Sequence, residues 1–425
     1  MEPTNHSVAV LPPKPGPKAE PTAPNLIASL IHPERKANIG QVTFSPDGIR
    51  LFTSGYPSGV VQIWDVASRK EIRRIETPPG YRGTDQYALL TPDWATLYVP
   101  AYKRSVKPIE RDGKRQYRYD YSGAIRVWDV ASGKEKEPLR SAPGSGPLHA
   151  KLAPDGRFLV YVEQPSYDAP DDPKNVTMVW DATNGKKWKL CDNYVFPSFA
   201  PDGKTGVASL DDYQAKTSAV KVFDLATGKE LAARKCPEKD RFFSVGPVSP
   251  DGAVVAVYLG GKKGAPMEVW LLDAKTLEDR GKLIGKGDPS GYGWGRGAFT
   301  PDGKRFVVAD GVGNILVWDA AGRSLERTLP SGANRAGWRL AFSPDGKTLA
   351  VGWSPKWDAD QESAREPDPQ DLPQPRVSLI DLAGKASPRV LIAPHGYVGA
   401  LAFSPEGKTL AFGGAGAVHL FDLMK

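Results

Sequence analysis

The side chains in this 425-residue chain best suited to acid–base chemistry are carboxylates, and they recur in a pattern. Aspartate returns in a Ser-Pro-Asp-Gly-like phrase at Asp47, Asp93, Asp155, Asp202, Asp251, Asp302 and Asp345, with Glu406 in an eighth copy. It returns again at the end of an apolar run, at Asp65, Asp129, Asp181, Asp224, Asp273, Asp319, Asp381 and Asp422. Paired carboxylates of this kind could act as general acid and base in a hydrolase. Their placement argues for a different use, because Asp beside Pro and Gly hydrogen-bonds the backbone of a turn. The five histidines, His6, His32, His149, His395 and His419, are scattered, and no H-E-x-x-H, Cys-x-x-Cys or G-x-S-x-G pattern occurs. No catalytic residue, metal ligand or cofactor site is assigned, and the chain is expected not to be an enzyme. The D-x-D-x-E spacing from Asp358 lacks the Gly and terminal Glu of a calcium loop. The Gly-rich stretch 285–297 lacks the Gly-Lys-Ser/Thr of a phosphate cradle.

Binding chemistry is better represented. Residues 102–121, YKRSVKPIERDGKRQYRYDY, carry seven basic residues against three acidic ones, interleaved with Tyr102, Tyr117, Tyr119 and Tyr121. Asp112-Gly113 between extended-looking runs predicts a projecting hairpin, with Arg111, Arg115 and Tyr117 near its tip. Such a mixture suits an acidic protein partner or base stacking as well as plain cross-strand pairing. A second insertion, SYDAPDDPKN, is short and acidic, and a third, 355–376, holds six acidic residues against three basic ones. Segments ahead of the apolar runs add Tyr87, His149, Arg241, Trp294, Arg296, Trp338, Arg339 and Tyr397, and Trp353 lies in the seventh copy. Trp, Tyr and Arg are the usual hot-spot types of protein interfaces.

The elements that would hold these residues follow from the repeat itself. The turn acids are spaced 43 to 62 residues apart, a period that marks about four short strands per repeat. In RLAFSPDGKTLAVGW, from Arg339, Leu340 and Phe342 alternate with Arg339 and Ala341, the period of a half-buried strand. The Pro-Asp-Gly turn leads to a second strand. A third ends in VQIWD, IRVWD, TMVWD, VKVFD, VWLLD, ILVWD, VSLID or VHLFD, and a fourth follows as in EIRRI or ELAAR. Trp94 stands where the other turns have Gly. If that position is left-handed, Trp94→Gly is expected to stabilise the chain by roughly 1 kcal/mol.

These phrases, FSPDGKTLA followed by VWD and GKE, resemble the tryptophan-aspartate (WD) repeat family over residues 25–425, in a divergent, bacterial-type form. The resemblance implies an all-β, eight-bladed β-propeller of four-stranded antiparallel blades. It also implies a noncatalytic scaffold that binds a protein or peptide partner. The family's Gly-His pair and the Asp before the third strand are absent, so packing must replace the hydrogen-bond tetrad those groups build. The eighth copy stops after its third strand, and NLIASLI, 25–31, has the character to complete it and remove an open edge. Antiparallel connectivity then puts the inserted loops and the segments before the first strands on one face. The runner-up reading is a receptor for a small anionic or saccharide ligand at the channel mouth there, and a propeller hydrolase ranks below both.

Residues 1–24 read as a flexible Pro-rich tail. The net charge of +7 is a mild bias over so long a chain, so nucleic acid is not the expected partner. No apolar run reaches the roughly 20 residues of a membrane helix. The beginning of the chain does not read as a secretory signal. A cytoplasmic monomer is expected, with export left open if the chain is part of a longer protein. Cys191 and Cys236 occupy matching places in adjacent repeats, too far apart to bridge, and are expected to be thiols.

Overall fold

Eight antiparallel sheets follow one another along the chain, in the order that the turn phrase dictates. They are seen in a computed structural model that describes residues 25–425 apart from 34–36, 57–58, 79, 84–87, 112, 169–174, 213–214, 240, 261–266, 286–296, 310–312, 332–338, 354–373 and 395–396. All regular elements among the described residues are strands. Blades one to seven span 38–75, 82–140, 145–191, 198–235, 242–285, 297–330 and 339–392. Blade eight combines Ala400–Phe403, Thr409–Gly413 and Ala417–Asp422 with Leu26–Ile31 from the start of the chain. First strands touch between blades two and three, four and five, five and six, seven and eight, and eight and one, so they face the centre of a closed ring.

The closing strand pairs Leu26 with Phe421, Ser29 with His419 and Ile31 with Ala417. Backbone bonds extend the pairing at both ends, from Asp422 N to Asn25 O (2.9 Å) and from His32 N to Gly416 O (2.9 Å). Leu30 is buried in the cluster that joins blades eight and one, with Ile39, Phe44, Trp64 and Leu420, while Ile27 packs against its margin. Leu26 packs against the cluster between blades seven and eight, and Ile31 is half exposed. At the same seam a Cβ on Gly414 would lie 1.8 Å from the Tyr397 carbonyl oxygen, so only glycine lets the two segments approach.

The turn phrases close the ring at its opposite face. Ser343 Oγ donates to Asp345 Oδ1 (2.6 Å), which also accepts from Lys347 N (3.1 Å). These bonds, Ser343 foremost, hold the Asp345 carboxyl below its usual range. Each turn glycine is left-handed and faces the preceding turn: Gly156 meets Pro92, Gly346 meets Pro301, Gly407 meets Pro344, and Gly48 meets Pro405 and Glu406 across the seam. The aspartates that end the third strands tie the following turn, as Asp65 does by accepting from Ser68 N (2.7 Å) and Oγ (2.6 Å).

Among the described residues the family tetrad survives only as a fragment. Trp64 Nε1 donates to Thr53 Oγ1 (3.1 Å), whereas buried Trp318 Nε1 has no partner. Arginines on outer strands supply other inter-blade links. Arg73 donates to the Ala131 (2.7 Å) and Ser132 (3.1 Å) carbonyls, Arg234 to Leu277 O (3.0 Å), and Arg389 to Leu423 O (3.2 Å), each in the next blade. A guanidinium suits this, because its fork of donors reaches carbonyls left open at a turn.

Two features differ from the sequence expectation. Blade two has six strands, because its two long central strands also recruit the short Arg82–Gly83 and Tyr167–Asp168. Trp94 is left-handed, at φ 60°, yet buried, edge-on to Phe52 (6.4 Å) with the Arg50 guanidinium 5.2 Å from its ring. The left-handed strain of about 1–2 kcal/mol is outweighed by the roughly 3–5 kcal/mol typical of deleting a buried aromatic. The expected stabilisation by Trp94→Gly is therefore reversed: the variant should melt lower than wild type, and an equal or higher melting temperature would refute the packing argument. Deleting residues 1–24 should leave the melting temperature unchanged. Deleting 1–33 should lower it, since burying Leu30 alone is worth about 1.5–3 kcal/mol; equal melting of the two truncations would contradict closure by this strand.

Candidate functional site

The predicted hairpin is a two-stranded ribbon. Its strands, Thr96–Arg111 and Lys114–Asp129, are each 16 residues long, against eight or fewer for every other strand. Pairing continues in register to Arg111 and Lys114, with Gly113 at φ 71° in the turn. Beyond Tyr102 the ribbon extends for nine more residues, roughly 30 Å at about 3.3 Å per residue.

Strand alternation sorts its side chains onto two faces. One carries Lys103, Ser105, Lys107, Ile109 and Arg111, opposite Ser122, Asp120, Arg118, Gln116 and Lys114. On this face Lys107 pairs with Asp120 (2.9 Å), and Arg118 pairs with Asp120 (2.8 Å) and with Asp168 (3.0 Å) of the third-blade insertion, while Lys103 and Lys114 have no ion pair to a carboxylate among the described residues. The other face pairs Arg104 with Tyr121, Val106 with Tyr119, Pro108 with Tyr117 and Glu110 with Arg115.

The third-blade insertion braces the ribbon. Tyr167 and Asp168 pair as a strand with Tyr119 and Arg118. The Tyr167 ring stacks on Tyr119 (5.0 Å) and Tyr121 (6.3 Å), and Tyr121 stacks on Tyr102 (6.0 Å). Ser166 Oγ accepts from Tyr121 N (2.8 Å) and donates to Gly144 O (2.9 Å), so the brace is pinned to blade three. Beyond it Val106 and Tyr117 remain exposed, at 45% and 43%, and the Arg115 guanidinium lies 6.0 Å from the Tyr117 ring.

Of the remaining residues singled out in the sequence, those described are held by separate partners. Tyr87, Trp294, Arg296 and Trp338 lie outside the described residues, as do most of the acidic insertion and the tail. His149, in the first strand of blade three, is edge-on to Tyr194 (5.3 Å) and Phe196 (6.0 Å) of the segment leading into blade four. Arg339 Nε donates to the Gly399 carbonyl, linking blade seven to blade eight close to Tyr397 in the chain. Trp353 donates from Nε1 to Ser378 Oγ (3.1 Å) and stacks under Arg376 (5.2 Å). Arg241 is buried, 4% exposed, with its guanidinium held by Glu238 (3.1 Å), Glu268 (3.0 Å) and the Leu259 carbonyl (3.2 Å). Its charge is spent inside blade five.

One group escaped the sequence reading. Lys151 Nζ donates to Pro197 O (3.0 Å) and sits 4.2 Å from the Phe196 ring, with no ion pair to a carboxylate among the described residues. Burial pushes its pKa down to about 8. The only sequence signal was its place two residues after His149, on the same side of that strand. Cys191 and Cys236 are both free, and burial raises both thiols.

The aspartates of the repeat are engaged in turns and ion pairs. Asp181 shows this most fully: the Arg157 guanidinium (2.8 Å), with Thr183, pushes its pKa down to about 2. Among the described residues no group of three or more His, Cys, Asp and Glu side chains is placed to hold a metal ion, and no helix is long and apolar enough to cross a membrane.

No protein-family model matches the chain, and no curated protein matches it. Among solved structures, the C-terminal WD40 domain of Sif2 is similar over 94% of this chain and 97% of that one, with a TM-score of 0.60 at 13% sequence identity. At that identity the likeness concerns architecture. The chain has the WD40-type β-propeller fold, here with eight blades.

Proposed function

We propose that the protein is a noncatalytic interaction scaffold, a monomer that takes a protein or peptide partner on the face carrying the inserted loops. The observation that carries this reading is the braced ribbon, which keeps Val106 and Tyr117 exposed on a support pinned to two blades. Rigid aromatic anchors at low entropic cost are what interfaces use. The proposed surface comprises Arg111, Arg115 and Tyr117 on the ribbon together with His149, Arg339, Trp353 and Tyr397, and the sequence expectation adds Tyr87, Trp294, Arg296 and Trp338, which lie outside the described residues. Arg241 is left out, because its guanidinium is occupied within blade five. The absence of catalysis is part of the proposal, and its support is that the repeat's carboxylates already serve turns.

A second reading, a receptor for a small anionic ligand near the channel mouth, draws on Lys151. It is a part-buried amine over the Phe196 ring, two residues after His149 on the same strand, with no neutralising carboxylate among the described residues.

Two experiments separate these readings. Replacing 103–120 by a two-residue Asn-Gly turn should abolish recovery of partners in a pull-down while the propeller still melts cooperatively, and Tyr117→Ala/Arg115→Ala should weaken it; recoveries equal to wild type in both would remove the ribbon from the proposal. For the receptor reading, phosphate or a sugar acid should raise the melting temperature of wild type and not of Lys151→Met, and equal shifts in the two would exclude Lys151 as a ligand group.

A further inference from the structure

The ribbon also specifies what kind of segment it would take. On the tyrosine-bearing face Arg104 and Arg115 form no ion pair with a carboxylate among the described residues, with Glu110 directly across from Arg115, whereas on the other face Lys107 and Arg118 are neutralised by Asp120 and Asp168. The tyrosine-bearing face therefore offers two guanidinium groups against one carboxylate, Glu110. Arg104 lies opposite Tyr121 at its base, and Arg115 lies beside Tyr117 near the tip. Between the two arginines, over roughly 20 Å at about 3.3 Å per residue, run Tyr121 and Tyr119, which stack against Tyr167, and the open Val106, Pro108 and Tyr117. That length matches an extended peptide of six or so residues.

Recognition by strand addition at the outer edge is disfavoured. Lys103, Lys107 and Pro108 lie on the strand that forms this edge, and lysine and proline are the devices that blunt open edges. The side-chain face is left as the contact surface.

We propose that this face of the ribbon binds an extended acidic segment of a partner protein, whose apolar or aromatic side chains rest on Val106, Pro108 and Tyr117 while its carboxylates meet Arg104 and Arg115. The inference rests on the scaffold reading and narrows it to a chemical class of partner. Arginine beside an aromatic ring serves both halves of such a segment, because the guanidinium can hold a carboxylate bidentately while its flat face stays on the ring.

The test uses the full chain and two fluorescent probes, a labelled glutamate–tyrosine copolymer and a labelled single-stranded oligouridylate of similar charge, followed by anisotropy at about 0.15 M salt. The copolymer should bind. Arg104→Glu/Arg115→Glu should weaken it by about tenfold or more, and Tyr117→Ala by several-fold, with melting temperatures unchanged because all three side chains are exposed. Tighter binding of the oligouridylate, weakened by the same substitutions, would overturn the proposal in favour of a nucleic acid. Copolymer binding indifferent to these substitutions, or no binding, would overturn it too. If the ribbon deletion still abolishes partner recovery in the pull-down, that failure falls on the acidic segment alone and leaves the scaffold reading standing.

Discussion

The pairing of residues 26–31 with 417–422 is the contact on which the other parts depend. A four-stranded sheet with two apolar faces cannot bury both alone, so each blade relies on its neighbours. Seven blades are made from consecutive chain, and the eighth would present the unpaired edge of Ala417–Asp422 without a strand from elsewhere. Leu26–Ile31 supplies that strand and places Leu30 between blades eight and one. The seam is tight: Gly414 meets the Tyr397 backbone, and buried His419 shares a hydrogen bond with Ser29 (3.0 Å).

With the ring closed, the blades are kept in step by contacts that a single blade could not make. On one face, the turn glycines meet the preceding turns, at a proline in every case but Gly203, which meets Asp155, and Trp94 does the same work with an aromatic ring edge-on to Phe52 of blade one. On the rim, Arg73, Arg234 and Arg389 reach the turn carbonyls of the next blade. These links stand where the family pattern would place a tetrad inside each blade. The opposite face is thereby free to vary. It is there that the long ribbon rises, and its brace from blade three turns a two-stranded element, marginal by itself, into a supported one.

What could be read from the sequence was whatever repeats or is local. The turn aspartates, the third-strand aspartates and the Asp112-Gly113 hairpin signal each act within a few residues, and they are found where the pattern puts them. Trp94 marks the limit: its left-handed geometry was legible from the lost glycine, but its partners Phe52 and Arg50 sit some forty residues earlier in another blade. Arg241 looked like an exposed anchor because its type is common at interfaces, and only the fold brings Glu268 from the third strand of the same blade beside it. The pairing of Tyr167 with Tyr119 joins two insertions that have no repeat register, so no period announced it. Lys151 was missed for a similar reason, since Phe196 and Pro197 reach it from the next blade.

The closed ring makes a claim about protection from solvent that can be read residue by residue. Amide hydrogen exchange on the full chain, resolved over 26–31 and 417–421, measures it directly. Closure predicts that the amides of Ala28 and Leu30 exchange as slowly as those of Val418 and Leu420, because both sets open only when the blade does. Exchange over 26–31 at the rate of an unstructured peptide, while 409–413 stays protected, would contradict it.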